Sequence, residues 1–456
     1  MKSIVLFKNN LRYNDNPILK RAIEESSLIM PVFIYDTINF NKDLGGASKY
    51  WLYHSLTDLN KSLNNNLSFY LGDTIKILKN LIDKHSIDNI YCEEPFLEED
   101  IKVCDLVSNI LLENKVKIYF LNSTLLWKPK DIYKKDFTPY KVFTPFYKRG
   151  CLNIKEPDLP VGKPGTPKYL ECKIKNNIDD LNILDEKKWY DKFNNKWDIS
   201  EKGAQNILED FINENIYNYK VGRDFPSSNS NSKLSPYIRF GLISIHRIWY
   251  TVNKLNPDDN ILHFKSEIGW REFSYYLLYH FPQMQFDNLR TKFDKFEWDN
   301  SKSKFKAWCR GETGFPIIDA AMKELWETGY MHNRMRMITA SFLVKNLLID
   351  WRWGEKWFWD CLFDADPASN IAGWQWVAGT GADAAPYFRI FNPILQGEKF
   401  DAKGKYTLNY LPELKNIPIK YLQKPWDFED GSIYIEPIIN YKDSRKKALL
   451  RYSELK

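Results

Sequence analysis

Residues 351–393, WRWGEKWFWDCLFDADPASNIAGWQWVAGTGADAAPYFRIFNP, hold a dense run of oxidisable and stackable side chains. Trp351, Trp353, Trp357, Trp359, Trp374 and Trp376 share this stretch with the carboxylates Asp364 and Asp366 and the amide of Asn370. Core packing accounts for any one of these indoles; as a set they suit stacking on a flat ligand or carrying electrons. GTGADAAP is small and polar, as expected where backbone approaches something flat or tightly packed. In SEIGWREF, Glu267, Trp270 and Arg271 are spaced i, i+3, i+4 and so share one helical face. One reading is a Glu–Arg pair beside a buried indole, worth about 0.2–0.5 kcal/mol. The other is a polar and aromatic surface that stacks on a base and hydrogen-bonds it. MHNRMRM (331–337) puts Asn333 and Met337 four apart, beside Arg334 and Arg336. Met commonly fills gaps, whereas Asn is neither a good mid-helix residue nor a good core residue. NSNSKLSPY (229–237) is a polar loop followed by a helix, the kind of start that can cradle phosphate.

Other chemistry lacks its markers. The six histidines (54, 85, 246, 263, 280, 332) show no zinc spacing, so no metal site is expected, and GxSxG and the P-loop are missing. What remains points to an organic cofactor. The chain has 456 residues, of which 44% are apolar and 27% charged, an ordinary mix for a soluble protein. Its 16% aromatic content, with 16 Trp, exceeds what core filling requires. The net charge of +6 allows a local nucleic-acid patch without locating one. Six cysteines (92, 104, 151, 172, 309, 361) form no CxxC, which suits a reducing cytoplasm. The longest apolar run, MITASFLVKNLLIDW, is broken by Lys345, so no membrane span and a cytoplasmic location are expected.

These side chains need a scaffold. SIVLF (3–7), IMPVFIY (29–35), NIYC (89–92) and KIYFLN (117–122) read as strands. Amphipathic stretches at 49–63 and 73–85 lie between them and read as helices. This alternation predicts an α/β doubly wound parallel-sheet domain over 1–130. Its first turn, FKNNLRYNDNP, lacks GxGxxG and so argues against a standard NAD site. Residues 131–200 are rich in Pro, Gly and Lys and read as a connector between domains. From 201 to 456 helical periodicity dominates, which predicts an all-α domain.

With RDFP (223–226), SEIGWREF, GFPIIDAAM, MHNRMRMITASFLVK and NIAGWQWVAGTGADAAPYFRIFNP in order, the chain resembles the photolyase/cryptochrome flavoproteins. It is most similar to the cyclobutane pyrimidine dimer photolyases of bacterial type. The resemblance implies FAD in the helical domain, contacted by Tyr219, Ser232, Lys233, Leu234, Ser235, Arg271, Arg336, Asp364 and Asp366. Asn370 matches the asparagine beside the flavin N5. Trp374, Trp351 and Trp298 match a tryptophan chain that carries electrons between flavin and surface. Glu267, Trp270, Asn333, Met337 and Trp376 match the lesion pocket. Arg223, Arg334, Arg389 and Gln396 match contacts to the DNA backbone.

The implied activity is light-driven splitting of cyclobutane dimers in UV-damaged DNA by a monomeric lyase. The alternatives are a cryptochrome-type photoreceptor, a photolyase for six-four products, and a flavin-dependent oxidoreductase without a nicotinamide fingerprint. A photoreceptor would be expected to lose the lesion residues, all of which are present here. A six-four enzyme would carry a histidine-containing lesion motif, and DASH-type cryptochromes usually show Gln where Met337 stands. A second, antenna chromophore is implied in principle, its identity open between folate, deazaflavin, another flavin or none. Glu99 aligns with a folate-contacting Glu, but the expected Cys-Lys pair reads Met284-Gln285.

Overall fold

The computed structural model describes residues 1–113, 115–171, 176–184, 189–428 and 434–455, which leaves out Cys172. Among the described residues the cysteines form no disulfide. Among these same residues no helix is long and apolar enough to cross a membrane, and no His/Cys/Asp/Glu cluster could hold a metal. The chain forms two compact units. The first comprises Met1–Tyr140, Thr144–Glu214 and Ser232–Pro282, and the second comprises Lys141–Phe143, Asn215–Asn231 and Gln283–Lys456.

The first unit is built on β1 (Lys2–Phe7), β2 (Leu28–Tyr35), β3 (Ser68–Leu71), β4 (Asn89–Glu93) and β5 (Lys117–Leu121). All pairings are parallel, in the order β3-β2-β1-β4-β5, as a doubly wound sheet requires. Ile4, Val5, Met30, Val32, Ile90 and Tyr91 are buried, which explains why these strands read as unbroken apolar runs. Helices α1 (Pro17–Glu25), α2 (Gly46–Ser62), α3 (Thr74–His85) and α4 (Glu98–Glu113) connect the strands. β3, α1 and α4 are not among the elements that the sequence pattern predicts. β3 is a four-residue edge strand with only Ser68 and Phe69 buried. α1 has nine residues and is started by Asn16, whose side chain accepts from the Ile18 and Leu19 N–H groups.

The expected boundary near residue 200 falls inside this unit. Helix α5 (Glu201–Asp210) begins with a buried carboxylate that accepts from the Tyr13 N–H at 2.8 Å and the Asn14 N–H at 3.1 Å. The Leu11 N–H donates to the Phe240 carbonyl at 3.0 Å, so donors of the turn after β1 are spent within the protein. Gly241 makes this approach possible: at φ +70°, a Cβ there would lie 2.0 Å from the Asn9 carbonyl oxygen.

Helices α6 (Ile245–Asn253) and α7 (Asp259–His280) complete the first unit. Three side chains at four-residue intervals hold α7 to the chain that follows β5. Glu272 accepts from the Leu126 N–H at 2.8 Å and the Trp127 N–H at 3.3 Å. The Tyr276 hydroxyl donates to the Ile132 carbonyl at 3.0 Å and accepts from the Tyr140 N–H at 2.9 Å. His280 Nε2 lies 3.3 Å from the Pro129 carbonyl oxygen. On the same helix, Gly269 lets the Tyr147 ring lie so close that a Cβ would stand 2.6 Å from it.

The second unit is helical: α8 (Lys302–Arg310), α9 (Pro316–Thr328), α10 (Asn333–Ser341), α11 (Trp351–Cys361), α12 (Pro367–Ala378), α13 (Pro393–Phe400) and α14 (Tyr441–Ser453). Residues 320–351 do not form one continuous helix. Gly329 ends α9 in the left-handed region, and α10 passes into a π-turn at Phe342–Asn346. Asn333 is therefore the first residue of α10 rather than a mid-helix residue.

Burial raises the Glu272 carboxyl from 4.5 to about 7, against the opposing pull of Arg271 and the two backbone donors. A raised native pKa means this group's contribution is full below the unfolded value and is lost as pH rises towards 7. Glu272→Gln removes the ionisation. Between pH 4.5 and 7, the wild type should lose roughly 3 kcal/mol relative to this variant. Urea unfolding of both proteins across that range checks the trend.

Candidate active site

In the first unit, the outer stripe of α7 carries Glu267, Trp270 and Arg271, all partly exposed. Glu267 lies 3.7 Å from His263 Nε2, one turn earlier. The Trp270 ring meets Phe273 edge-on at 5.8 Å. Arg271 donates to Glu272 at 2.8 Å and lies over the Tyr275 ring at 4.9 Å. The guanidinium is thus held by the residue beside it, which the spacing argument passed over. Ser232, Lys233, Leu234 and Ser235 form a turn in which the Ser232 Oγ accepts from the Leu234 N–H at 3.4 Å and Lys233 adopts φ 52°. The helix that follows, Ser235–Arg239, has five residues. A helix that short has little dipole to offer, so local N–H and hydroxyl donors are what the segment supplies.

In the second unit, α10 opens with His332 as its cap, the ring Nδ1 accepting from the Arg334 N–H at 3.2 Å. Burial, then the Arg334 and Arg336 charges, lower the His332 pKa to about 3, so the ring stays neutral and keeps its acceptor. Asn333 Nδ2 and Met337 Sδ are 4.0 Å apart on the expected common face. Arg334 donates to Asp224 at 2.5 Å and lies over the Phe400 ring at 4.5 Å. Arg223, next to Asp224, stacks on Tyr219 at 5.4 Å. Arg336 donates to Asp364 at 2.9 Å and to the Met331 carbonyl at 2.8 Å. Asp366 caps α12 by accepting from the Ser369 N–H at 2.7 Å.

Asn370 is fixed by a residue the sequence reading missed. Its Nδ2 donates to the Glu355 carbonyl at 3.2 Å and to Glu355 Oε1 at 2.9 Å. With both amide hydrogens committed, Oδ1 is what this side chain can present to a ligand. One turn on, Gly373 faces open space: a Cβ there would meet nothing within 4 Å. Asp224 stands inside the RDFP motif and was legible there. Glu355 lies 15 positions before Asn370 and has no local signal.

Trp374 and Trp351 are buried, and Trp298 is partly exposed. Trp374 meets Phe358 at 4.9 Å and Trp308 at 6.2 Å. Trp351 donates its indole N–H to Asn288 at 2.9 Å and lies under the Arg352 guanidinium at 4.8 Å. Trp298 packs on Phe296 at 4.4 Å. Trp376 is half-buried on α12. Arg389 is exposed, and its carbonyl accepts from the buried Lys345 Nζ at 2.9 Å; burial, then Arg389, lower the Lys345 pKa to about 7. Gln396 lies on α13, partly exposed. In the first unit, Glu99 on α4 accepts from Asn41 at 2.7 Å. Met284, where the folate pattern expects Cys, is buried, and its carbonyl accepts from Gln375 at 2.7 Å.

Each unit by itself offers groups that suit a flavin dinucleotide: the first an anchored guanidinium at Arg271 and serine hydroxyls, the second an anchored guanidinium at Arg336, the Asn370 amide acceptor and bare backbone at Gly373. Comparison with known proteins agrees. Residues 3–164 match the DNA photolyase family model, and residues 264–454 match the FAD binding domain of DNA photolyase. The deoxyribodipyrimidine photo-lyase of Agrobacterium fabrum is 40% identical, over 99% of this chain and 98% of its own. Cryptochrome-2 of Arabidopsis thaliana is 32% identical, over 99% of this chain and 79% of its own. The crystal structure of a bacterial class III photolyase from Agrobacterium tumefaciens superposes with a TM-score of 0.95 at 39% identity, covering 100% and 97% of the two chains. The chain belongs to the DNA photolyase family.

The seat of Trp374 depends on Gly354 of α11. A Cβ there would fall 2.1 Å from the Trp374 ring and 2.6 Å from Leu343 Cδ2. Gly354→Ala should push the indole out of place and cost about 1–3 kcal/mol. The shift in urea midpoint measures the cost, and the intrinsic tryptophan fluorescence of the folded protein should change with it.

Proposed function

We infer that this chain is a light-driven DNA-repair lyase that splits cyclobutane pyrimidine dimers in UV-damaged DNA with bound FAD. The observation that carries this reading is the 40% identity, across nearly the whole of both chains, to a deoxyribodipyrimidine photo-lyase. Reduced FAD, when bound, supplies on excitation by blue or near-ultraviolet light the single electron that opens the cyclobutane ring, and recovers it afterwards.

Around that chemistry the chain's own residues bind, orient and shield. Ser232, Lys233, Leu234, Ser235, Tyr219, Arg271, Arg336, Asp364 and Asp366 would hold the cofactor. Glu272 and Asp364 fix the directions of the Arg271 and Arg336 guanidiniums. Asn370, turned by Glu355, offers its Oδ1 as an acceptor. Photolyases are themselves examples of enzymes that extrude their target from the duplex. Trp270 and Trp376 offer ring faces to the extruded pyrimidines, Met337 adds apolar contact, and Glu267 and Asn333 hydrogen-bond the polar edges. Arg223, Arg334, Arg389 and Gln396 grip the phosphates, with Arg334 already positioned by Asp224. Trp374, Trp351 and Trp298 carry electrons inward from the surface when the flavin must be reduced.

The protein works as a monomer in the cytoplasm. Glu99 marks the region where an antenna chromophore would sit. The cryptochrome match favours a second reading, a photoreceptor without repair, and the lesion residues Glu267, Trp270, Asn333, Met337 and Trp376 weigh against it.

Trp270→Ala separates the two readings. Stacking on one base is worth about 1–3 kcal/mol, so the damaged-to-undamaged DNA affinity ratio at fixed salt should fall by at least about five-fold. FAD content, read from the visible flavin band, should stay the same. An unchanged ratio would remove Trp270 from lesion recognition.

A further inference from the structure

Trp298 is partly exposed, and its surroundings are basic. Helix α14, YKDSRKKALLRYS, carries five basic side chains against one acidic. Its inward residue Ala448 is buried in the apolar cluster of Phe293, Phe296, Leu348 and Tyr387 against which Trp298 packs. Lys447 and Arg451 each reach Asp299, the residue after Trp298, at 2.7 Å, and Arg451 also donates to the Glu297 carbonyl at 2.6 Å. The helix is thereby clamped on both sides of the indole. Its outward face leaves Lys442, Arg445 and Lys446 exposed, together with Leu450 at 61% exposure. Lys446, Lys447, Leu449 and Leu450 line one shallow depression with Asp443. Lys292 adds a further positive charge over the Tyr452 ring at 5.3 Å.

An apolar centre rimmed by cations, on a helix clamped to the residues either side of an oxidisable indole, suits a transient electron-transfer contact: steering by charge and a small dry core. We propose that the α14 face around Trp298 is the docking surface for an acidic one-electron carrier protein that refills the tryptophan chain. This rests on the reading of Trp298 as the outer end of that chain. In the step, the reduced carrier loses one electron and the Trp298 indole radical cation gains it. The neutral indole is restored, no bond forms or breaks, and no proton moves. Duplex DNA is the competing polyanion. Two of the three arginines assigned to damaged DNA, Arg223 and Arg334, meet a different set, Asp224, Tyr219 and Phe400, which shares no residue with the Asp299 clamp.

The test uses the FAD-loaded full chain with oxidised flavin and follows photoreduction with two donors, dithiothreitol and reduced flavodoxin, each corrected for its dark rate. Arg445→Glu combined with Lys446→Glu reverses charge on the outward face without touching the Asp299 clamp. The flavodoxin-driven rate should fall by about five-fold or more in this variant, and similarly when salt is raised from 0.05 to about 0.3 M. The dithiothreitol-driven rate should stay within about two-fold. Equal flavodoxin rates in the two proteins would overturn the docking surface, as would a flavodoxin rate indifferent to salt. A loss of dimer-DNA affinity with no loss of flavodoxin-driven rate would assign the face to nucleic acid. Trp298→Phe checks the premise separately: dithiothreitol-driven photoreduction should slow at least about ten-fold, and an unchanged rate would remove the exit tryptophan and the proposal with it.

Discussion

Helix α7 must present Glu267, Trp270 and Arg271 on one side while staying fixed about its own axis. A helix packed only by apolar contacts can rotate or slide at small cost. Here Glu272, Tyr276 and His280 lie at four-residue intervals and reach backbone groups of residues 126–140, so any rotation would break buried hydrogen bonds. Leaving such groups unpaired costs about 1–3 kcal/mol each, more where charge is involved. The price of this arrangement is a carboxylate in a dry setting, seen in the raised pKa of Glu272.

The same device recurs in the second unit. Asp364 orients Arg336, Asp224 orients Arg334, and Glu355 turns the Asn370 amide. Arg336, Arg334 and Asn370 are each held by a carboxylate, and of these carboxylates Asp224 and Glu355 have no assigned ligand contact. Preorganisation of this kind places the cost of ordering long side chains in the fold, so that binding need not supply it.

Some of this was legible in the sequence and some was not, for identifiable reasons. β1, β2 and β4 announced themselves because they are largely buried, and β5 by its run of β-branched and aromatic residues, whereas β3 is a short edge strand with a polar approach through three asparagines. The faces of α7 and α10 followed from helical spacing. The start of α10 did not, because its cap is His332, and histidine is not among the usual capping residues. Gly329 did carry a termination signal that the periodicity of the flanking segments masked. Most of the residues matched to the family's site lie in long motifs. Their supports divide: Glu272 and Asp224 sit inside those motifs, while Glu355 meets Asn370 only through the packing of α11 on α12.

Repair itself is the most direct measurement. Photoreduced, FAD-loaded protein would be mixed with oligothymidine containing cyclobutane dimers, and absorbance near the thymine band followed in light and in darkness. Recovery in light alone, with none in darkness, is the predicted result. Absence of recovery in light, with FAD bound and photoreducible, would contradict the account and leave a photoreceptor or a different lesion as the function of this site.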